Sequence, residues 1–158
     1  MTNPSDHEQF MRAALREAAA ADEADDVPVG AVVVHSNRII GRGHNQKERL
    51  ADPTAHAEML AITAAAAARG DWRLNGCTIY VTLEPCAMCT GAMVLARMDR
   101  VVFGTADPKT GACGSVYDLA NDPQANHQVA VVRGVLEFDC RQILQAFFVR
   151  QRSLGKKG

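Results

Sequence analysis

Residues 77–105 read CTIYVTLEPCAMCTGAMVLARMDRVVFGT, and this stretch decides the fold. Cys77–Leu83 is an apolar, β-branched run of strand length. Pro85 then opens a helix that the apolar spacing carries through Arg97, and Arg100–Thr105 is another strand. Strand, helix and strand in immediate succession imply a parallel pair joined by a right-handed crossover.

Upstream of this unit, Asp52-Pro53-Thr54 reads as a helix start, with Asp52 as cap and Pro53 in the first turn, running to about Ala68 before Gly70. Val29–His35 and Arg38–His44 are β-rich runs joined by Ser36-Asn37, the pattern of a hairpin. Residues 6–24 form a helix with Phe10, Met11, Ala14, Leu15, Ala18 and Ala21 on one face, ended by the acidic run to Asp26 and by Pro28. Downstream, residues 106–116 (ADPKTGACGSV) form a turn-rich loop, and Val129–Arg133 is a fifth strand. From Glu137 a last helix turns Cys140, Ile143, Leu144, Phe147 and Phe148 inward. The order predicts an α/β fold, a three-layer α/β/α sandwich around a mixed five-stranded sheet, as one domain over residues 1–158. Both central helices then start at the same edge of the sheet.

The bulk composition is that of an ordinary globular protein, with 47% apolar and 22% charged residues over 158 positions. The net charge of −1 does not announce a nucleic-acid binder, but its distribution is uneven. Residues 1–26 carry seven acids against Arg12 and Arg16, whereas residues 141–158 carry Arg141, Arg150, Arg152, Lys156 and Lys157 and no acid. A basic end fits either a phosphate contact or a solvated tail. The polar start MTNPSDHEQF lacks a secretory pattern, and no run approaches the roughly 20 apolar residues of a membrane span. With an odd count of five cysteines, the expectation is a reducing cytoplasm and no membrane.

Chemistry concentrates in His56-Ala57-Glu58 and Pro85-Cys86-Ala87-Met88-Cys89. Alone, the first is a common tripeptide, and the second divides between zinc and redox chemistry. Together they change meaning. Cys86 and Cys89, three apart, share one face of a first helical turn, and His56 lies in the first turn of the preceding helix. One histidine and two thiolates supply three zinc ligands and leave a fourth position open, the catalytic pattern. Glu58 reaches the same site because both it and His56 sit at a helix end. A carboxylate there can take a proton from an activated water and pass it to a leaving amine. A redox protein would leave His56 and Glu58 unexplained, and a zinc-stabilised RNA-binding module would not need Glu58. Cys77, Cys113 and Cys140 read as small core hydrophobes, and His7, His35 and His127 as surface residues.

These two motifs resemble the signature of the cytidine-deaminase-like superfamily. Val27–Val32, Gly43-His44-Asn45, Asp52–Glu58, Val81–Cys86, Arg100–Gly104 and Asp107–Gly111 extend the resemblance over nearly the whole chain and select the tRNA-specific adenosine deaminases. The resemblance implies a cytidine-deaminase-like fold and one Zn2+ per subunit, with His56, Cys86 and Cys89 as ligands and Glu58 as the catalytic proton carrier. It implies hydrolytic conversion of adenosine to inosine at the wobble position of an arginine tRNA, by a homodimer acting on the anticodon stem-loop. It also implies substrate contacts by Val29, Asn45, Asp107, Lys109, Phe148, Arg150 and Arg152. His44, where an aromatic such as Trp is common, and Cys113, where a small apolar residue is usual, depart from the pattern. The alternative is a deaminase of a free base, guanine or cytosine, with the same zinc chemistry; the 106–116 loop and the basic C-terminus argue against it.

Overall fold

A computed structural model describes residues 4–156, so Lys157 of the basic end lies outside it. The elements are α1 (Pro4–Glu23), β1 (Gly30–His35), β2 (Arg38–His44), α2 (Lys47–Leu50), α3 (Ala57–Arg69), β3 (Cys77–Leu83), α4 (Ala87–Leu95), β4 (Arg100–Thr105), β5 (Ala130–Arg133) and α5 (Glu137–Ser153). They build a mixed sheet in the order β2-β1-β3-β4-β5. The β1–β2 and β1–β3 pairs are antiparallel, and β3–β4 and β4–β5 are parallel, so the expected α/β fold with its parallel unit is present.

The hairpin turn explains its own sequence. Ser36 and Asn37 both adopt left-handed backbone, with φ of 51° and 62°. A two-residue turn of that kind matches the twist of the strands it joins.

Alternation sorts the sheet's side chains between two helical layers. Val32, Val34, Tyr80 and Val102 point toward Phe10, Met11 and Ala14 of α1 and Cys140 of α5. Ala31, Val33, Ile79, Val81 and Val101 point the other way, onto Ala57, Ala61 and Ala65 of α3 and Cys89 and Met93 of α4. Each large aliphatic side chain withdrawn from water here contributes about 1.5–3 kcal/mol.

Two glycines decide how α3 sits. A Cβ on Gly43 would lie 2.3 Å from the Ala57 carbonyl oxygen, and one on Gly41 would lie 2.4 Å from that of Ala61. Without side chains at these positions α3 lies directly on β2, with its first turn over the strand's last residues.

The helix starts differ from expectation. The third helix begins at Ala57, not at Asp52-Pro53, because Asp52 spends its side chain on a tight turn. Its Oδ1 accepts from both the amide and the hydroxyl of Thr54, each at 2.8 Å. Such Asx turns compete with helix initiation. Likewise α4 begins at Ala87, after Pro85 and Cys86, and ends at Leu95 before Arg97. The strands β1 and β5 each start one residue later than expected, and the short α2 carries no apolar periodicity that would have revealed it. His7 and His127 are half-buried with partners, Tyr80 Oη at 2.8 Å and the Met98 carbonyl at 2.6 Å, not simple surface residues.

Candidate metal centre and active site

The centre forms where α3 and α4 begin. His56 is the residue before α3 and Cys86 the residue before α4, and both have extended backbone, with φ/ψ of −78°/149° and −77°/178°. Their carbonyls already accept the first helical bonds, from Leu60 and Thr90. Neither side chain caps its own helix, so both are free to turn toward the same point. Cys89 joins them one helical turn into α4.

The His56 Nδ1 atom lies 3.7 Å from Cys86 Sγ and 3.5 Å from Cys89 Sγ. Around a tetrahedral zinc, a sulfur at about 2.3 Å and a nitrogen at about 2.1 Å would stand ~3.6 Å apart. The donor set therefore fits zinc in both chemistry and spacing. It is also the one cluster of three such side chains found among the described residues.

Titration behaviour follows from the crowding. Cys86 is held down to about 4, first by a hydrogen bond from the Cys89 thiol and then by its bond with His56. Cys89 is driven up in turn, by the Cys86 thiolate it serves and by burial. His56 is raised, chiefly by Cys86. Glu58, only 4% exposed, is pushed up to about 7 by burial, with His56 acting in the opposite direction. A carboxyl that titrates near neutrality can both accept and return a proton. By contrast, burial lifts Cys113 to about 11 and Cys140 to about 12, as expected of inert core thiols.

A cleft of about 150 Å³ opens over this centre, with His56, Glu58 and Cys86 at its base and Val29, Asn45 and Asp107 among its walls. Asn45 is buried, and its Oδ1 accepts from the Ala57 amide at 2.8 Å. A backbone N–H partner fixes the amide's orientation and leaves its Nδ2 for a ligand. Asn45 thus supplies the cap that His56 does not. Asp107 lines the cleft, but its carboxylate serves its own turn, accepting from the amides of Lys109 and Thr110 and from the Thr110 hydroxyl.

The remaining expected contacts lie beside the cleft. Lys109, Phe148 and Arg152 share a neighbouring groove of about 700 Å³ with Gln145 and Val149. Arg150 is not brought there. It is ion-paired to Asp22 at the end of α1, while Lys156 reaches Asp25 at 2.7 Å. The acidic and basic ends of the chain meet each other. Of the two phenylalanines expected to face inward, Phe147 is buried in the core, whereas Phe148 is half-exposed in the groove.

Sequence reasoning missed two carboxylates. Asp26, read as part of an acidic helix stop, is buried and accepts from the amides of Val27 and Glu48, which ties α2 to the cleft wall. Glu84, read only as motif context, is 2% exposed and grips the 106–116 loop. The available signal was a charge beside a strand too apolar to leave its end in water. His44 turns toward Glu17, 3.4 Å away.

The family profile described as cytidine and deoxycytidylate deaminase zinc-binding region matches residues 4–105. The tRNA-specific adenosine deaminase of Bacillus subtilis (strain 168) is 51% identical over 150 residues, covering 95% of this chain and 91% of that protein. A solved structure from studies of A-to-I editing by tRNA:A34 deaminases at the wobble position of transfer RNA is 44% identical, with a TM-score of 0.83, covering 86% of this chain and 99% of that one. Guanine deaminase from Nitrosomonas europaea superposes with a TM-score of 0.75 at 23% identity, over 90% of this chain and 84% of its own, a likeness of fold alone.

Proposed function

Because the chain belongs to the zinc-binding cytidine and deoxycytidylate deaminase family, and within it to the tRNA-specific adenosine deaminases, we propose that it hydrolyses adenosine to inosine at the wobble position of an arginine tRNA. The observation that carries this reading is the convergence of His56 Nδ1 and the two sulfurs of Cys86 and Cys89 beside the buried Glu58.

His56, Cys86 and Cys89 would hold one zinc per chain. Such an ion would supply Lewis acidity, which makes water a nucleophile at neutral pH. Glu58 takes one proton from the attacking water and delivers it to the base, then carries the proton of the added hydroxyl to the departing amine, so that water and adenosine become inosine and ammonia. Two thiolates reduce the positive charge at the centre, and the N-termini of α3 and α4 partly restore it. Asn45 donates its free amide hydrogens to the substrate, and Val29 packs against it. The cleft suits one extruded base and little more.

Flanking nucleotides run along the groove of Lys109, Phe148 and Arg152, which offers two cations and an aromatic face. Asp107 shapes the loop at its rim. Arg150 joins the phosphate contacts by exchanging Asp22 for RNA. The protein works as a cytoplasmic homodimer of one deaminase domain per chain; no described helix is long and apolar enough to cross a membrane. Leu95 on α4 and Tyr117, just after the 106–116 loop, expose apolar surface for a partner to cover.

The test is the purified protein, with its metal and mass measured, given an arginine-tRNA anticodon stem-loop, free adenosine, guanine and cytosine. Inosine at the wobble position, with the free compounds untouched, is expected. Turnover of guanine or cytosine with an intact stem-loop would replace this reading by free-base deamination.

A further inference from the structure

The cleft's loop wall anchors Ala112 and Cys113 in the core, but the rest of it is largely exposed and is held close to the metal ligands by one carboxylate. Glu84 follows the last residue of β3 and lies two residues before Cys86. Its Oε1 accepts from the Asp107 amide at 3.0 Å and from the Ser115 hydroxyl. Its Oε2 accepts from the amides of Cys113 at 3.0 Å and Ser115 at 3.1 Å. Four donors from both ends of the 106–116 loop thus converge on one buried carboxylate. Gly111 lies directly on the carboxylate, since a Cβ there would be 2.4 Å from Glu84 Cδ. A further bond, from the Ala112 amide to the Pro85 carbonyl at 2.8 Å, runs beside it.

We propose that Glu84 is a positioning residue: although it borders the cleft, its carboxylate is spent on four loop donors and sets the loop, and with it Asp107 and Thr110, at a fixed distance from the zinc ligands, so that substrate fit is governed through the loop. The kinetic part of this inference rests on the tRNA deaminase reading; the structural part does not. Carboxylate chemistry suits the task because an ionised carboxylate only accepts hydrogen bonds, and all four partners donate. Glutamine cannot reproduce this. With its oxygen toward the Cys113 and Ser115 amides, its nitrogen faces the Ser115 hydroxyl, which can rotate to accept, and the Asp107 amide, which cannot. The contact that Glu84→Gln loses is therefore the one nearest the cleft.

The experiment compares the zinc-loaded parent with Glu84→Gln and Gly111→Ala. The glycine variant keeps the carboxylate and displaces the loop from the other side. Amide hydrogen exchange over 106–116 should quicken about tenfold or more in both variants, while α3 and α4 keep their protection. Zinc content should not change. On the stem-loop, KM should rise about tenfold, with kcat within about threefold of the parent. Should Glu84→Gln fail to fold, Gly111→Ala alone carries the same signature. Unchanged loop exchange in both variants would overturn the proposal, and so would loss of zinc together with the loop, which would make Glu84 a support for Cys86. If the parent itself does not deaminate the stem-loop, the functional reading falls, and the exchange pattern still decides the role of Glu84.

Discussion

Asn45 has two jobs in one side chain, and substitution can separate them. Its Oδ1 holds the first amide of α3 at 2.8 Å, and its Nδ2 is left for substrate. Asn45→Ala removes both functions. The Ala57 amide then stands buried without an acceptor at a helix start whose own flanking residue, His56, points elsewhere. Loss of a capping acceptor costs about 1–2 kcal/mol. For a chain of this length that corresponds to roughly 2–8 °C in Tm. Asn45→Asp keeps an acceptor, in a place where the α3 dipole favours negative charge, and gives up the donor. It should unfold within about 2 °C of the parent and yet lose at least about tenfold in kcat/KM on the stem-loop. Thermal unfolding and steady-state kinetics on the three proteins supply the comparison. An Asn45→Ala protein as stable as the parent would refute the capping argument, and a fully active Asn45→Asp would refute the substrate contact.

Cys86→Ser and Cys89→Ser should each abolish stable zinc binding, read by metal analysis after dialysis. Because Cys89 is raised, metal capture must expel a proton, so zinc affinity should climb with pH and weaken in acid; a flat competition titration against a chelator would contradict this. Glu58→Ala should keep fold and zinc and lose about 10²–10⁴-fold in kcat, the usual worth of general acid–base catalysis. Arg152→Ala should weaken RNA binding and flatten its log–log salt slope by roughly 0.7–0.9. Arg150→Ala should change the slope less, because its guanidinium must give up Asp22 to reach phosphate; an equal change for the two would mean that the Asp22 pair does not compete with RNA.

The sheet and its neighbouring helices were legible because alternation and breaker residues determine them locally. Three strands fall at the expected residues, β2, β3 and β4, where β-branched runs end at unambiguous turns. The metal cluster was legible because sequence order alone brings two helix starts to one edge. What escaped was a matter of competition and of distance. Asp52 could cap a helix or close a turn, and only the packing of α3 on Gly41 and Gly43 selects the turn. Glu84, Asp26 and Asn45 each act on an amide 12 to 31 residues away, and a local pattern at most marks the charge, not the partner. The resemblance assigns Arg150 to RNA, and nothing local reports its pairing with Asp22, 128 residues away.

The order β2-β1-β3-β4-β5 leaves two strands with an open side, and both are poor templates for adding another chain. One, β5, is only four residues long and ends at Gly134, whose left-handed φ of 83° turns the backbone away. The other, β2, exposes Arg38 and Arg42, and its pairing with β1 shifts register between Val33 and Val34. Short length, repelling charge and an irregular ladder are the devices that keep a sheet from growing by self-association. A protein whose central strands carry apolar runs such as Ala31–Val34, Ile79–Val81 and Val101–Phe103 needs them whenever β3 is exposed during synthesis, before the helices have closed over it.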